Sequence, residues 1–141
     1  MADILHKISI NAPKERVYQA LSTVDGLSGW WTSTTSGESA HGKTLEFRFG
    51  KHVSPMRVEE LEANRRVVWR SEEKSEWLDT RITFELSEDA GRTTLLFGHR
   101  AWKDGTPFFA HCSMKWATFL LSLREYAETG HGRPFPHDLQ I

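Results

Sequence analysis

The chain has 141 residues, 38% of them apolar, and its 18 Lys and Arg nearly cancel 19 Asp and Glu for a net charge of -1. That length suits one compact domain, residues 1–141, with apolar mass enough for a sizeable core. The balanced charge argues against nucleic-acid binding, because no basic excess is present to hold a phosphate backbone.

The first residues carry Asp3 and Lys7 with no long apolar run behind them, unlike a signal peptide. Ile4, His6, Ile8 and Ile10 alternate with Leu5, Lys7 and Ser9, the pattern of a half-buried strand. Asn11-Ala12-Pro13 then opens a short helix, proline suiting a first position whose N–H would go unpaired. Val17, Ala20, Leu21 and Val24 recur at helical spacing, and Asp25-Gly26 is read as the end of that run. Leu27 to Lys43, with Gly29, Gly37, Gly42 and many Ser and Thr, is read as irregular, and it carries Trp30-Trp31.

Five strands are expected next: Thr44–Phe49, Val53–Leu61, Val67–Ser71, Trp77–Leu86 and Arg92–His99. Their short connections demand antiparallel neighbours, since parallel strands need long crossovers. Pro107 opens a long final helix on which Cys112, Trp116, Phe119, Leu120, Leu123 and Ala127 share one face, and Thr129-Gly130 closes it. Its most apolar stretch, Trp116 to Leu123, is interrupted by Thr118 and Ser122 and falls short of the roughly 18 apolar residues of a membrane span. The tail from His131 to Ile141 is expected to lie extended on the surface. The expectation is an α+β fold: a six-stranded antiparallel sheet around the last helix, one short helix after the first strand, and a cavity between sheet and helix.

Six Trp and eight Phe against two Tyr need a home in a core, a pocket or an interface. Trp69 and Trp116 are placed facing inward with Phe47, Phe49, Met56, Phe84, Phe97 and Phe119, either as the wall of an apolar pocket or as ordinary packing. Of Trp30 and Trp31, one should pack and the other sit at a cavity rim; Trp102 and Phe108-Phe109 resist an inward placement and are read as rim or interface. His99 shares a face with Leu95 and Phe97 beside the last helix, where it could donate to a ligand carbonyl, act as a base or serve structure alone; His6 carries the same ambiguity. Arg48, Arg57 and Arg70 alternate with apolar residues, and one turned inward would suit an acidic head group.

No metal or cofactor is expected. The seven His and the lone Cys112 show no His-x-x-x-His or Cys-x-x-Cys spacing, and His111 and Cys112 diverge by about 100° on a helix. Cys112 reads as a buried, inert thiol, and a single cysteine without an intramolecular disulfide suits a cytoplasmic protein. Nucleophile-elbow, phosphate-loop and dinucleotide motifs do not occur.

Three segments carry a family resemblance: Ile10-Asn11-Ala12-Pro13-Lys14-Glu15-Arg16-Val17-Tyr18-Gln19-Ala20-Leu21 with Gly26-Leu27-Ser28-Gly29-Trp30-Trp31, then His99-Arg100-Ala101-Trp102, then Trp116–Leu123 running on to Glu128-Thr129-Gly130-His131-Gly132-Arg133-Pro134. Together they resemble the START/SRPBCC superfamily, and within it bacterial relatives of the activator of the ninety-kilodalton heat-shock protein ATPase. The resemblance implies the helix-grip fold, a curved antiparallel sheet wrapped around a long carboxy-terminal helix. The aromatic excess and the cavity inherent in that fold lead to the expectation that a small hydrophobic or amphipathic molecule binds between them, without a catalytic apparatus. Two other functions occur on this scaffold. One is a co-chaperone-like activator of a heat-shock ATPase, against which counts the lack of a second clamp-forming domain. The other is a polyketide cyclase or dehydratase-like enzyme using His99 as acid and base. A homodimer through a sheet edge or the Trp102–Phe109 segment is a further expectation.

Overall fold

The computed structural model describes residues 1–141. Its elements run β1 (Ala2–Ile10), α1 (Lys14–Ser22), α2 (Val24–Trp30), β2 (Thr34–Gly37), β3 (Thr44–Phe49), β4 (His52–Glu62), β5 (Arg66–Ser71), β6 (Arg81–Asp89), β7 (Arg92–Trp102) and α3 (Pro107–Thr129). One open sheet has the order β1-β7-β6-β5-β4-β3-β2, and every neighbouring pair is antiparallel. The α+β class stands, but the sheet has seven strands where the pattern predicts six. The extra strand is β2, four polar or glycine residues paired with β3 from Thr34 opposite Arg48 to Gly37 opposite Leu45. With no apolar alternation, that strand exists through its backbone pairing alone, which a hydrophobicity pattern does not register.

Two more boundaries move. Asp25-Gly26 does not end a run: α2 begins at Val24, and the Thr23 hydroxyl accepts from the Gly26 N–H at 3.0 Å as its cap. Glycine stands at 26 because a Cβ there would lie 2.6 Å from the Gln19 carbonyl oxygen and 2.7 Å from the Ala20 Cα. It is a close-packing glycine between two helices rather than a helix stop. Trp77 lies outside β6, in a loop closed by Asp79 N–H donating to the Ser71 carbonyl at 3.0 Å.

Helix α3 begins as expected, with Pro107 in its first turn and the Thr106 hydroxyl accepting from the Phe109 N–H at 3.2 Å. Gly130, at φ 89°, ends it in the left-handed conformation. Cys112, Trp116, Phe119, Leu120, Leu123 and Ala127 of α3 are buried in a core cluster of 27 residues that also takes in the inward faces of the strands and both short helices. The tail is more than a surface trace. Phe135 donates its N–H to the Trp31 carbonyl at 2.8 Å and accepts from Ser33 N–H at 3.1 Å, while the Asp138 side chain, 3% exposed, pairs with Lys115 of α3.

Candidate functional site

The space between the sheet and α3 is largely filled by rings. Trp31 is the hub: its ring centroid lies 4.3 Å from Phe47, 4.9 Å from Trp116, 5.8 Å from Trp69 and 6.1 Å from Trp30. Phe84 bridges Trp69 and Phe97 edge-on at 5.1 and 5.3 Å, arrangements that suit the ring quadrupole. Trp30 is fixed by its indole N–H donating to the Ala20 carbonyl at 2.8 Å. Trp30, Phe47, Met56, Trp69, Phe84 and Phe97 are all buried, and none borders an open apolar cavity. Their role in the structure is packing.

The remaining aromatics expected at a pocket, Trp31, Phe49, Trp116 and Phe119, do reach one. It is a cavity of about 250 Å³ at one end of the fold, where the first half of α3 meets the β3–β4 turn and the loop after β5. Gly50, at φ 67°, makes the tight turn that brings Phe49 and His52 to its mouth. Helix α3 contributes Phe108, His111, Cys112, Lys115, Trp116 and Phe119, steps of three and four that form one helical face. Ser54 of β4, with Glu73 and Trp77 from the loop, completes the wall.

Sequence reading left Phe108, 41% exposed, between rim and interface, and missed Ser54, His52, Glu73, Trp77, His111 and Lys115. His111 and Lys115 were reachable by extending the helical spacing that places Trp116 and Phe119. The others come from segments whose approach to α3 only the fold creates.

The ionisable side chains Glu73 and Lys115 at this cavity both have hydrogen-bond partners. His52 Nε2 sits 3.0 Å from the Glu73 carboxylate, which also accepts from Ser75 Oγ. Lys115 Nζ pairs with Asp138, donates to the Leu139 carbonyl at 2.8 Å and lies 5.3 Å from the Phe119 ring centroid. No arginine borders the cavity. Arg48, Arg57 and Arg70 instead meet Glu46, Glu72 and Glu59 at 3.5, 3.4 and 3.8 Å, the partly exposed pairs of an outer sheet face. Burial pushes the Cys112 thiol up to about 11, which leaves it protonated and unreactive at neutral pH. Two polar atoms of the wall differ from the rest: Ser54 Oγ is buried without a hydrogen bond, and the buried Trp77 indole N–H meets only the Cys112 thiol, a weak acceptor.

His99 lies behind the cavity wall, fully buried. The Trp116 indole N–H donates to its Nδ1 at 3.0 Å, which places the imidazole proton on Nε2, 2.8 Å from Thr80 Oγ1. The Thr80 hydroxyl in turn donates to the Trp77 carbonyl at 2.6 Å. Burial holds the His99 pKa down to about 3, so the ring is neutral and both nitrogens are occupied. A histidine so placed fixes tertiary structure and offers no proton to a molecule in the cavity. His6, on β1 opposite Phe97, lies 3.1 Å through Nε2 from the Ser113 carbonyl of α3. Trp102 is also buried, with Phe109 edge-on at 5.1 Å, so of the Trp102–Phe109 segment only Phe108 presents a large exposed ring. No three His, Cys, Asp or Glu side chains converge in metal-binding fashion, and no helix is long and apolar enough to cross a membrane.

Comparison with known proteins places this arrangement. Residues 11–128 match the family described as Activator of Hsp90 ATPase homolog 1-like protein. Among solved structures, the Aha1 dimer from Colwellia psychrerythraea is 41% identical with a TM-score of 0.87, over 94% of this chain and 100% of that one. A Staphylococcus saprophyticus protein at 22% identity shares the fold with a TM-score of 0.78, over 93% of this chain and 95% of that one. So does CalU16 from Micromonospora echinospora, at 19% identity and a TM-score of 0.72, over 88% of this chain and 73% of that one. No curated protein sequence matches the chain. On the extent of the family match and the identity to the Colwellia protein, the chain belongs to the family of Activator of Hsp90 ATPase homolog 1-like proteins.

Proposed function

We propose that this protein binds a small, largely apolar or amphipathic molecule at the end of the fold. The observation that supports this most is the cavity of about 250 Å³, in which Trp31, Phe49, Trp77, Phe108, Trp116 and Phe119 meet while the rest of the interior is packed. Its volume lies just under the roughly 300–1,000 Å³ usual for ligand pockets, which suits a molecule of one or two rings. Burial of apolar ligand surface, at roughly 25 cal/mol per Å² before ordering costs, supplies the affinity. The ligand sits at the mouth rather than in a deep space between sheet and helix.

Indole N–H signals test the reading, because Trp31, Trp77 and Trp116 border the cavity while Trp30 and Trp69 do not. Titrated naphthalene should shift the first three in proton–nitrogen correlation spectra and leave the other two in place. Uniform or absent shifts refute the proposal. Native mass spectrometry of freshly purified protein then seeks the natural occupant.

The Colwellia relative is described as a dimer, and self-association of this chain is a second reading. Exposed Met114 and Leu121, seven residues apart on the outward side of α3, support it. Sedimentation velocity of the wild type and of Met114→Glu decides: a dimer lost in the variant supports the reading, and a monomeric wild type ends it.

A further inference from the structure

The two charged side chains of the cavity wall, Glu73 and Lys115, are not neutralised alike. Resting on the ligand-binding reading above, we infer that the preferred occupant is a small organic cation, an ammonium with apolar substituents, held by cation–π attraction to the aromatic wall and by the charge of Glu73. Lys115 has a permanent counter-charge, the Asp138 carboxylate, and donates to the Leu139 carbonyl as well. Glu73 has none: its one ion-pair partner is His52, at 3.0 Å, which carries charge only when protonated, and its other contact is the neutral Ser75 hydroxyl. With its side chain 10% exposed, that carboxylate is poorly solvated. Attraction to such a charge reaches across a low-dielectric wall and needs no direct contact with the carboxylate oxygens. The Cys112 thiol, on the same wall, responds to this field. Burial is the main cause of its raised pKa, and the charges of Glu73 and Glu76 push it further the same way, the effect of a negative potential.

The rings supply the second attraction. Phe49 and Trp77 are half-buried and Phe108 is 41% exposed, so aromatic surface is open to an occupant. The negative face of such a ring attracts a cation that comes within about 6 Å of its centre. Lys115 already makes this contact at the same wall, its Nζ lying 5.3 Å from the Phe119 ring centroid. An anion entering the cavity would instead meet Glu73 and find no arginine. A neutral molecule would gain from burial alone. Size sets the remaining limit. An apolar protein cavity of about 150 Å³ takes up benzene, so about 250 Å³ suits an ammonium bearing one ring.

The test titrates phenyltrimethylammonium, its uncharged isostere tert-butylbenzene, and benzoate into the intact protein at neutral pH, followed by the indole N–H signals of Trp31, Trp77 and Trp116. We expect phenyltrimethylammonium to bind about tenfold tighter than tert-butylbenzene, within the range of a desolvated cation–π contact, and benzoate to bind weakest. Glu73→Gln keeps the shape of the side chain and removes its charge; Phe108→Leu keeps apolar bulk and removes the ring. Each should bring the ratio of the first two affinities below about threefold. Should Glu73→Gln fail to fold, Phe108→Leu, at an exposed position, still decides. Equal or tighter binding of tert-butylbenzene, tighter binding of benzoate, or a ratio unaltered in the variants overturns the inference while leaving the cavity reading standing. The same holds if naphthalene binds and phenyltrimethylammonium does not. If neither naphthalene nor any of the three binds, the cavity reading fails and this inference with it.

Discussion

Two polar arrangements lie a few residues apart in this protein, and they are satisfied in different ways. Around His99, each donor meets an acceptor: Trp116 N–H to Nδ1, Nε2–H to Thr80, Thr80 O–H to the Trp77 carbonyl. In the cavity wall on the other side of Trp77 and Trp116, the buried Ser54 Oγ has no partner and the Trp77 indole N–H meets only the Cys112 sulfur. Both regions are walled by aromatic rings, so the difference does not lie in hydrophobicity. A closed hydrogen-bond chain stabilises the fold, whereas a buried polar atom with a weak partner or none costs stability. Trp77 and Trp116 belong to both regions and tie the scaffold to the site.

Perturbations graded by size separate the two. Trp31→Ala removes the ring on which Phe47, Trp69 and Trp116 converge and should cost about 3–5 kcal/mol in denaturant unfolding. A loss under about 1 kcal/mol would mean that the ring cluster is not the main packing unit. Acid should act next most strongly, through His99. Its folded pKa, about 3, lies below the ordinary 6.5, so the unfolded chain takes up the proton first. The stability tied to the neutral ring is therefore complete above pH 6.5 and lost as pH falls toward 3. By pH 4 the loss from this one group reaches up to about 3 kcal/mol. Comparison with His99→Gln across that window isolates it, and the His99 imidazole signals of the wild type should not titrate above pH 4. Titration near 6.5 would contradict the closed chain.

Thr80→Val leaves the His99 N–H without its acceptor and should destabilise by about 1–3 kcal/mol. Ser54→Ala removes a hydroxyl that has no partner and should be neutral or stabilising by up to about 1 kcal/mol, read as an unchanged or raised Tm. If the two variants lose equal stability, the contrast between the regions disappears.

The frame was legible because it rests on periodicity. Alternation in β1, the proline that opens α3, and the spacing from Cys112 to Ala127 all record which face meets the core. β2 left no such record, its four residues being held by backbone pairing to β3. Gly26 misled because glycine serves both as a helix stop and as a point of close approach, and only the neighbouring Gln19 and Ala20 tell these apart. The site was legible by half. Residues sharing a helical face or strand face with known core positions, such as Phe49 and Phe119, could be placed. Ser54, Glu73 and Trp77 meet α3 from distant segments, and their function as a group has no sequence spacing. His99 shows the complementary limit, since one strand face holds structural and ligand-binding histidines alike and only its partners distinguish them.

The pairing of β1 bears on how the chain reaches this state. Its residues and the adjoining Asn11 find partners a hundred or more positions later: Ala2 lies opposite Trp102, His6 reaches the Ser113 carbonyl, and the Asn11 N–H donates to Glu128 at 2.7 Å. Chains that depend on such remote contacts fold slowly, because a long loop must close before the contacts return any free energy. Refolding should accordingly proceed in milliseconds to seconds rather than microseconds. On the ribosome, the first strand made waits for β7 and is among the last to be seated.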